Sequence, residues 1–258
     1  MCQNADSAGY NPLKVEDCET NRKILQAFCP EMDYKDDVPA EHDHNGVETE
    51  EMNETAVYAV RTDTVRRINP ATLERAMPER AERARRFRFE KDRLLCLGAG
   101  FLMMRVLGIR NEKEIRYGEN SKPYAPGYPA FNLSHSGVWC ALATGGASMI
   151  GFDLEEIDQR HTDIAAEVYT DAELRWMQAD PVDRFFRLWT WKESVMKATG
   201  LGMVLEPYTF EVLPFAAGHT VTIGDVEWYA ADGIWDNCRY SICADEAVVH
   251  VRWTEIKD

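Results

Sequence analysis

Two short stretches hold the residue types that could do chemistry. In Met149-Ile150-Gly151-Phe152-Asp153-Leu154-Glu155 an extended chain sets Asp153 and Glu155 on one side, with Phe152 and Leu154 turned the other way toward a core. Two carboxylates held side by side repel, and a shared divalent cation is the usual remedy. Further on, Phe185-Phe186-Arg187-Leu188-Trp189-Thr190-Trp191-Lys192-Glu193-Ser194-Val195-Met196-Lys197 reads as a buried helix on whose common face Trp189, Glu193 and Lys197 recur every fourth residue. With Glu193 the carboxylates become three, a hard donor set suited to Mg²⁺ that leaves positions open for phosphate and water. Two plainer readings stand beside this one: a strand with an exposed acidic face that Glu156 and Asp158 extend, and a solvated Glu193–Lys197 ion pair.

Two further groups fit an anionic ligand. Phe131-Asn132-Leu133-Ser134-His135-Ser136 reads as a corner that presents two hydroxyls and an imidazole at the entrance of a strand over Val138–Ala143. It is no hydrolase site, since adjacent Ser134 and His135 cannot serve as nucleophile and base to each other and no Gly-x-Ser-x-Gly elbow exists. Between Arg61 and Arg93 lie eleven basic residues, which intrahelical pairs such as Glu79 with Arg83 and Glu82 with Arg86 account for in part.

The elements that would position these groups can be read in order. Ala56–Val60 is a first strand, Pro78–Phe87 a helix opened by proline, and Leu94–Leu107 an apolar core helix closed by Gly108. Ile164–Tyr169 and Thr170–Met177 form two short helices, the second capped by Thr170 with Glu173 three residues on. After the aromatic helix, strands are expected at Thr209–Leu213, His219–Ile223, Val226–Ala230, Arg239–Cys243 and Val248–Thr254. Asp92-Arg93 before Gly108, and Asp183-Arg184 before Gly200, frame the two long helices alike, a faint internal repeat.

The chain has 258 residues, a net charge of −15 and 45% hydrophobic residues, enough for a sizeable core. Residues 1–55 carry 14 acidic and 4 basic side chains without sustained periodicity, and read as a poorly ordered extension. Val15–Phe28 could form a short helix there, and His42 and His44 belong to a solvated charge run rather than to a metal clip. The acidic balance disfavours nucleic acid as a partner, and the absence of a long apolar run or a leader pattern points to a soluble cytoplasmic chain. Seven cysteines without a C-x-x-C pair suit reduced thiols.

Taken together, Gly151-Phe152-Asp153-Leu154-Glu155, Trp189-x-x-Lys192-Glu193-Ser194-x-x-Lys197, Phe131–Ser136, Lys122-Pro123 and Pro78-Glu79-Arg80 through Phe87 resemble the surfactin-type 4′-phosphopantetheinyl transferases, in the family's order and spacing over roughly residues 56–245. The resemblance implies an α+β fold, a pseudo-twofold duplication of two similar halves (56–152 and 153–258), with the active site in the cleft between them. It implies transfer of 4′-phosphopantetheine from coenzyme A to a serine of an apo acyl or peptidyl carrier protein, with release of 3′,5′-ADP; a monomer is expected. By the same resemblance Asp153, Glu155 and Glu193 are Mg²⁺ ligands, Glu193 also the general base and Lys197 the group that neutralises the pyrophosphate. Ser134 and His135 contact phosphate, Lys122 and Pro123 border the adenine, and Arg80 and Arg83 take the 3′-phosphate. Many relatives carry an arginine where this chain has Leu94-Leu95-Cys96, and the acidic extension has no counterpart. The alternatives are a metal-dependent nuclease, disfavoured by the charge, and a non-catalytic module that binds coenzyme A or a carrier.

Overall fold

The computed structural model describes residues 54–118, 120–158, 162–216, 218–248 and 250–257. Val15–Phe28, His42 and His44 lie outside them. Strand β1 (Glu54–Arg61) is apolar on both faces: Val57 and Ala59 enter one cluster, Val60 another. Such a strand needs cover on both sides. Helices α1 (Thr62–Arg67), α2 (Pro70–Ala76), α3 (Pro78–Arg86) and α4 (Glu90–Leu107) supply it on one. The first two were not legible in the sequence, because α1 contains a single apolar residue, Val65, too few to mark a helical period. The other two follow expectation: Pro78 opens α3, and α4 stops where Gly108 turns left-handed at φ 74°.

A two-residue hairpin, β2 (Arg116–Tyr117) with β3 (Pro123–Tyr124), leads to β4 (Phe131–Ser136) and β5 (Trp139–Thr144). The expected corner at 131–136 is therefore a full strand. Its alternation explains this: Phe131 and Leu133 pack into the core under α4, while Asn132, Ser134 and Ser136 face the neighbouring sheet. That second sheet contains β6 (Ile150–Glu156), β7 (Thr220–Ile223), β8 (Val226–Trp235) and β9 (Cys238–Ala244), in the antiparallel order β6-β9-β8-β7. The last strand, β10 (His250–Glu255), does not extend it. It pairs parallel with β1, so the first sheet runs β10-β1-β5-β4.

The outer face of the second sheet is covered by α5 (Ala165–Val168), α6 (Asp171–Met177) and α7 (Pro181–Thr199). Thr170 and Glu173 close the expected capping box on α6; Pro181 and the Asp180 side chain start α7, and left-handed Gly200 ends it. Between the sheets, Val57, Trp139 and Ala141 meet Phe152, Leu154 and Ile242. The fold is thus mixed α+β, with helices outside two facing sheets.

The strand expected over Thr209–Leu213 is absent. Its backbone finds side chains in place of a ladder: buried Lys192 donates from Nζ to the carbonyls of Pro207 at 2.7 Å and Phe210 at 2.6 Å, and the Val212 amide donates to Glu173 Oε1 at 3.0 Å. Lys192 Nζ also pairs with Glu173 Oε2 at 2.9 Å, both side chains being fully buried. Burial is the main force lowering the lysine pKa, against the attraction of Glu173.

Candidate active site

Strand alternation does the first part of the positioning. Along β6, Phe152 and Leu154 enter the core between the sheets, which turns Asp153 and Glu155 the opposite way, and α7 packs across that face. The approach is close because residue 151 is glycine. A Cβ there would lie 2.0 Å from the Ser194 carbonyl oxygen and 2.3 Å from the Ala198 nitrogen, both in the α7 backbone. Only glycine permits this contact.

The close packing brings Lys197 onto Asp153. Its ammonium donates to Asp153 Oδ1 at 2.6 Å, to the Phe152 carbonyl at 3.3 Å and to Ser134 Oγ at 3.3 Å. The surface Glu193–Lys197 pair that the helix spacing allowed is therefore replaced by a contact between helix and strand. Ser134 Oγ donates a hydrogen bond to Asp153 Oδ1 at 2.9 Å, and Ser136 Oγ donates one to Glu155 Oε2 at 2.8 Å. Asp153 is 2% exposed, yet its second oxygen, Oδ2, has no hydrogen-bond partner. A buried carboxylate oxygen left without a donor asks for a cation.

The charges confirm that the carboxylates are crowded. Burial first, and then the charge of Asp153, push Glu155 up to about 7. The same two causes in the same order raise Glu193. Burial works against the Lys197 ammonium, but Asp153, then Glu193 and Glu155, outweigh it and hold its pKa above the ordinary value. Among the described residues, no three carboxylate, imidazole or thiolate side chains converge as a ready-made metal cage. The donor chemistry nonetheless suits a hard divalent ion, with Asp153 Oδ2 open and two carboxylates that would be relieved by it.

The other predicted residues fall around this centre. His135 is exposed on β4; desolvation and then the field of Lys197 lower its pKa, while Asp153 and Asp92 oppose them. On α3, Arg80 is buried and its amide donates to Glu112 Oε2 at 2.6 Å. Its Nε stands 3.7 Å from Glu112 Oε1 without a hydrogen bond, and the Arg83 guanidinium stands 3.8 Å from the same oxygen. A hydrogen bond with Tyr117 is the main force raising the Arg83 pKa. Arg93 donates to the carbonyls of Phe87 and Arg88. Lys122 reaches the C-terminal end of α7 and donates to the Ala198 carbonyl at 2.8 Å, while Asn120 does the same to Gly200 at 2.9 Å. Pro123 and Lys122 line a cavity of about 330 Å³ with Tyr124, Tyr128, Phe131 and Met149. Another cavity, of about 380 Å³, opens beside Glu155, between Lys91 and Ser136 on one side and Phe185, Phe186 and Trp189 on the other.

Sequence reasoning missed Glu112, read Glu173 only as a capping residue, and read Ser136 only as a hydroxyl of a corner. Glu112 and Glu173 are buried acids whose cationic partners lie far away in the chain, and no local spacing marks such pairs. The Ser136 signal was present as the third member of the Asn132, Ser134, Ser136 alternation, hidden by reading the segment as a turn.

Comparison with known proteins adds an independent line. Residues 149–236 match the model of the 4′-phosphopantetheinyl transferase superfamily. The chain is 35% identical over 113 residues to the 4′-phosphopantetheinyl transferase Gsp of Aneurinibacillus migulanus, covering 42% of this chain and 47% of that protein. It is 31% identical over 146 residues to the 4′-phosphopantetheinyl transferase Sfp of Bacillus subtilis strain 168, covering 52% and 65%. The 4′-phosphopantetheinyl transferase AcpT of Salmonella typhi shares 38% over 95 residues, covering 34% and 50%. The chain thus spans about half the length of the curated relatives it matches. In the segment that carries Asp153, Glu155, Glu193 and Lys197, the chain is similar to the 4′-phosphopantetheinyl transferase superfamily.

Proposed function

We propose that this protein transfers the 4′-phosphopantetheine group of coenzyme A to a serine of an apo acyl or peptidyl carrier protein and releases 3′,5′-ADP. The observation that carries the reading is the meeting of Asp153 on β6 with Lys197 on α7, both inside the segment that matches the superfamily, and with Ser134 on β4, which precedes that segment. Asp153, Glu155 and Glu193 would hold Mg²⁺, which supplies positive charge to the pyrophosphate. Glu193 accepts the proton of the carrier serine as that hydroxyl attacks the β-phosphorus. The bond from phosphorus to the 3′,5′-ADP oxygen breaks, and Lys197, held protonated by the acids around it, balances the charge left on that oxygen. Ser134 and His135 supply contacts to phosphate. Arg80 and Arg83 receive the 3′-phosphate, for which Arg80 Nε, which makes no hydrogen bond, provides a donor, and Lys122 and Pro123 border the adenine at their cavity. The fold is read as two related halves, each built on a long helix that ends in a left-handed glycine, with the site where they meet.

The test is incubation of the full chain with coenzyme A, Mg²⁺ and a panel of apo carriers, followed by mass spectrometry. The expected result is the mass gain of one phosphopantetheine on a carrier, abolished in Asp153→Ala and in Glu193→Ala while circular dichroism stays that of the folded protein. Full transfer by both variants would sink the assignment of the site.

A further inference from the structure

β4 and β6 are edge strands of different sheets, and no ladder joins them. Side chains stand between them instead. Asn132 Oδ1 accepts the Phe152 amide at 3.0 Å, Ser134 Oγ the Leu154 amide at 3.3 Å and Ser136 Oγ the Glu156 amide at 2.9 Å. Alternate residues of one edge satisfy alternate amides of the other, which burial would otherwise leave unpaired.

The serines have a second task that Asn132 lacks. A hydroxyl carries one proton and can accept with its lone pairs. At Ser136 a lone pair is engaged by the Glu156 amide, and the proton is directed to Glu155 Oε2 at 2.8 Å. The β6 backbone therefore aims the hydroxyl, and the hydroxyl aims the carboxylate. Asp153 is gripped by Lys197 as well as by Ser134, whereas Ser136 provides the one hydrogen bond seen on the longer, more flexible Glu155 among the described residues.

We propose that Ser136 is a positioning residue that fixes the Glu155 carboxylate in the orientation from which it joins Asp153 and Glu193 around a divalent cation. The inference rests on the transferase reading above and goes further by adding a residue that supports the donor set without touching the ion. Hydrogen-bond partners of ligating carboxylates typically contribute a factor of ten or more to metal affinity.

The experiment uses the full chain with Mn²⁺ as probe, in the presence of coenzyme A. Affinity is read by titration calorimetry and by the electron paramagnetic resonance of free Mn²⁺; thermal unfolding is followed separately in chelator. Ser136→Ala should weaken Mn²⁺ binding roughly tenfold, and Ser136→Thr, which keeps the hydroxyl, should restore it. Asn132→Ala breaks the same kind of strand contact but touches no carboxylate, so it should lower the unfolding midpoint and leave Mn²⁺ affinity unchanged. Ser136→Ala with wild-type affinity overturns the proposal. Equal loss of affinity in Ser136→Ala and Asn132→Ala also overturns it, since that marks general loosening between the strands. Should Asn132→Ala fail to fold, the contrast between Ala and Thr at position 136 decides. A wild-type protein that takes up no Mn²⁺ overturns this proposal and the metal assignment of the transferase together, a result distinct from failure at Ser136 alone.

Discussion

Glu155 shows at the scale of one residue how a site can oppose the fold that holds it. Its folded pKa of about 7 lies above the ordinary carboxylate value of 4.5, so between these values the native state binds protons that the unfolded chain releases. The cation-free protein therefore loses stability as pH rises from about 4.5 to about 7, and the loss stays constant above that window. Glu155→Gln removes the half-buried charge and can still accept the Ser136 hydrogen bond. In chelator at pH 8 it should be more stable than wild type by roughly 1–3 kcal/mol, a gain that vanishes below about pH 4.5. Urea unfolding at both pH values checks this, and the same variant should not transfer phosphopantetheine. Gly151 makes the opposite case. Gly151→Ala puts a methyl group against backbone atoms of α7 that cannot rotate away. Its expected effect is either loss of folding or separation of β6 from α7, read as loss of more than about 3 kcal/mol in urea and of all transfer activity.

Among the elements, α7 is tied down by charge as firmly as by its aromatic residues. Phe185, Phe186, Leu188 and Trp191 fill the core under it. Arg187 forks onto Asp232 of β8 at 2.7 and 3.0 Å, and Lys192 locks the 207–212 segment and α6 to the helix. Removing one member of a buried pair leaves the other charge unanswered. Lys192→Met should therefore cost about 3–5 kcal/mol by equilibrium denaturation, although Lys192 has no part in the chemistry proposed. This lysine neighbours Glu193 in sequence but points the other way around the helix, and only the three-dimensional partner Glu173 tells the two roles apart.

For the whole molecule, β10 is the strand that joins the two sheets into one unit. It pairs with β1 in the first sheet, and its Trp253 stacks on Trp235 of the second with ring centroids 4.5 Å apart, meeting Phe152 and Tyr240 as well. The two sheets should thus unfold together. Near-ultraviolet circular dichroism, to which these tryptophans contribute, should give the same denaturation midpoint as the far-ultraviolet signal; separate midpoints would show that the packing between the sheets is lost apart from the secondary structure. The core accepts thiols as small apolar groups: Cys140, Cys238 and Cys243 are free and buried, and burial pushes Cys140 and Cys238 up to about 12. No helix among the described residues is long and apolar enough to cross a membrane.

What the sequence determined by itself was local. The period of two along β6 put Asp153 and Glu155 on one side, the period of 3.6 along α7 aligned Trp189, Glu193 and Lys197, and proline, capping residues and glycine marked the helix ends. Tertiary structure decided the partners, because hydrogen bonds and ion pairs depend on distance in space and leave no mark at a fixed spacing in the chain. It gave Lys197 to Asp153, Lys192 to Glu173, Lys122 to the end of α7, and β10 to the first sheet. It also made a strand of 131–136 and an unpaired segment of 209–213, since a strand exists only where another edge, or side chains in its place, can take up its backbone.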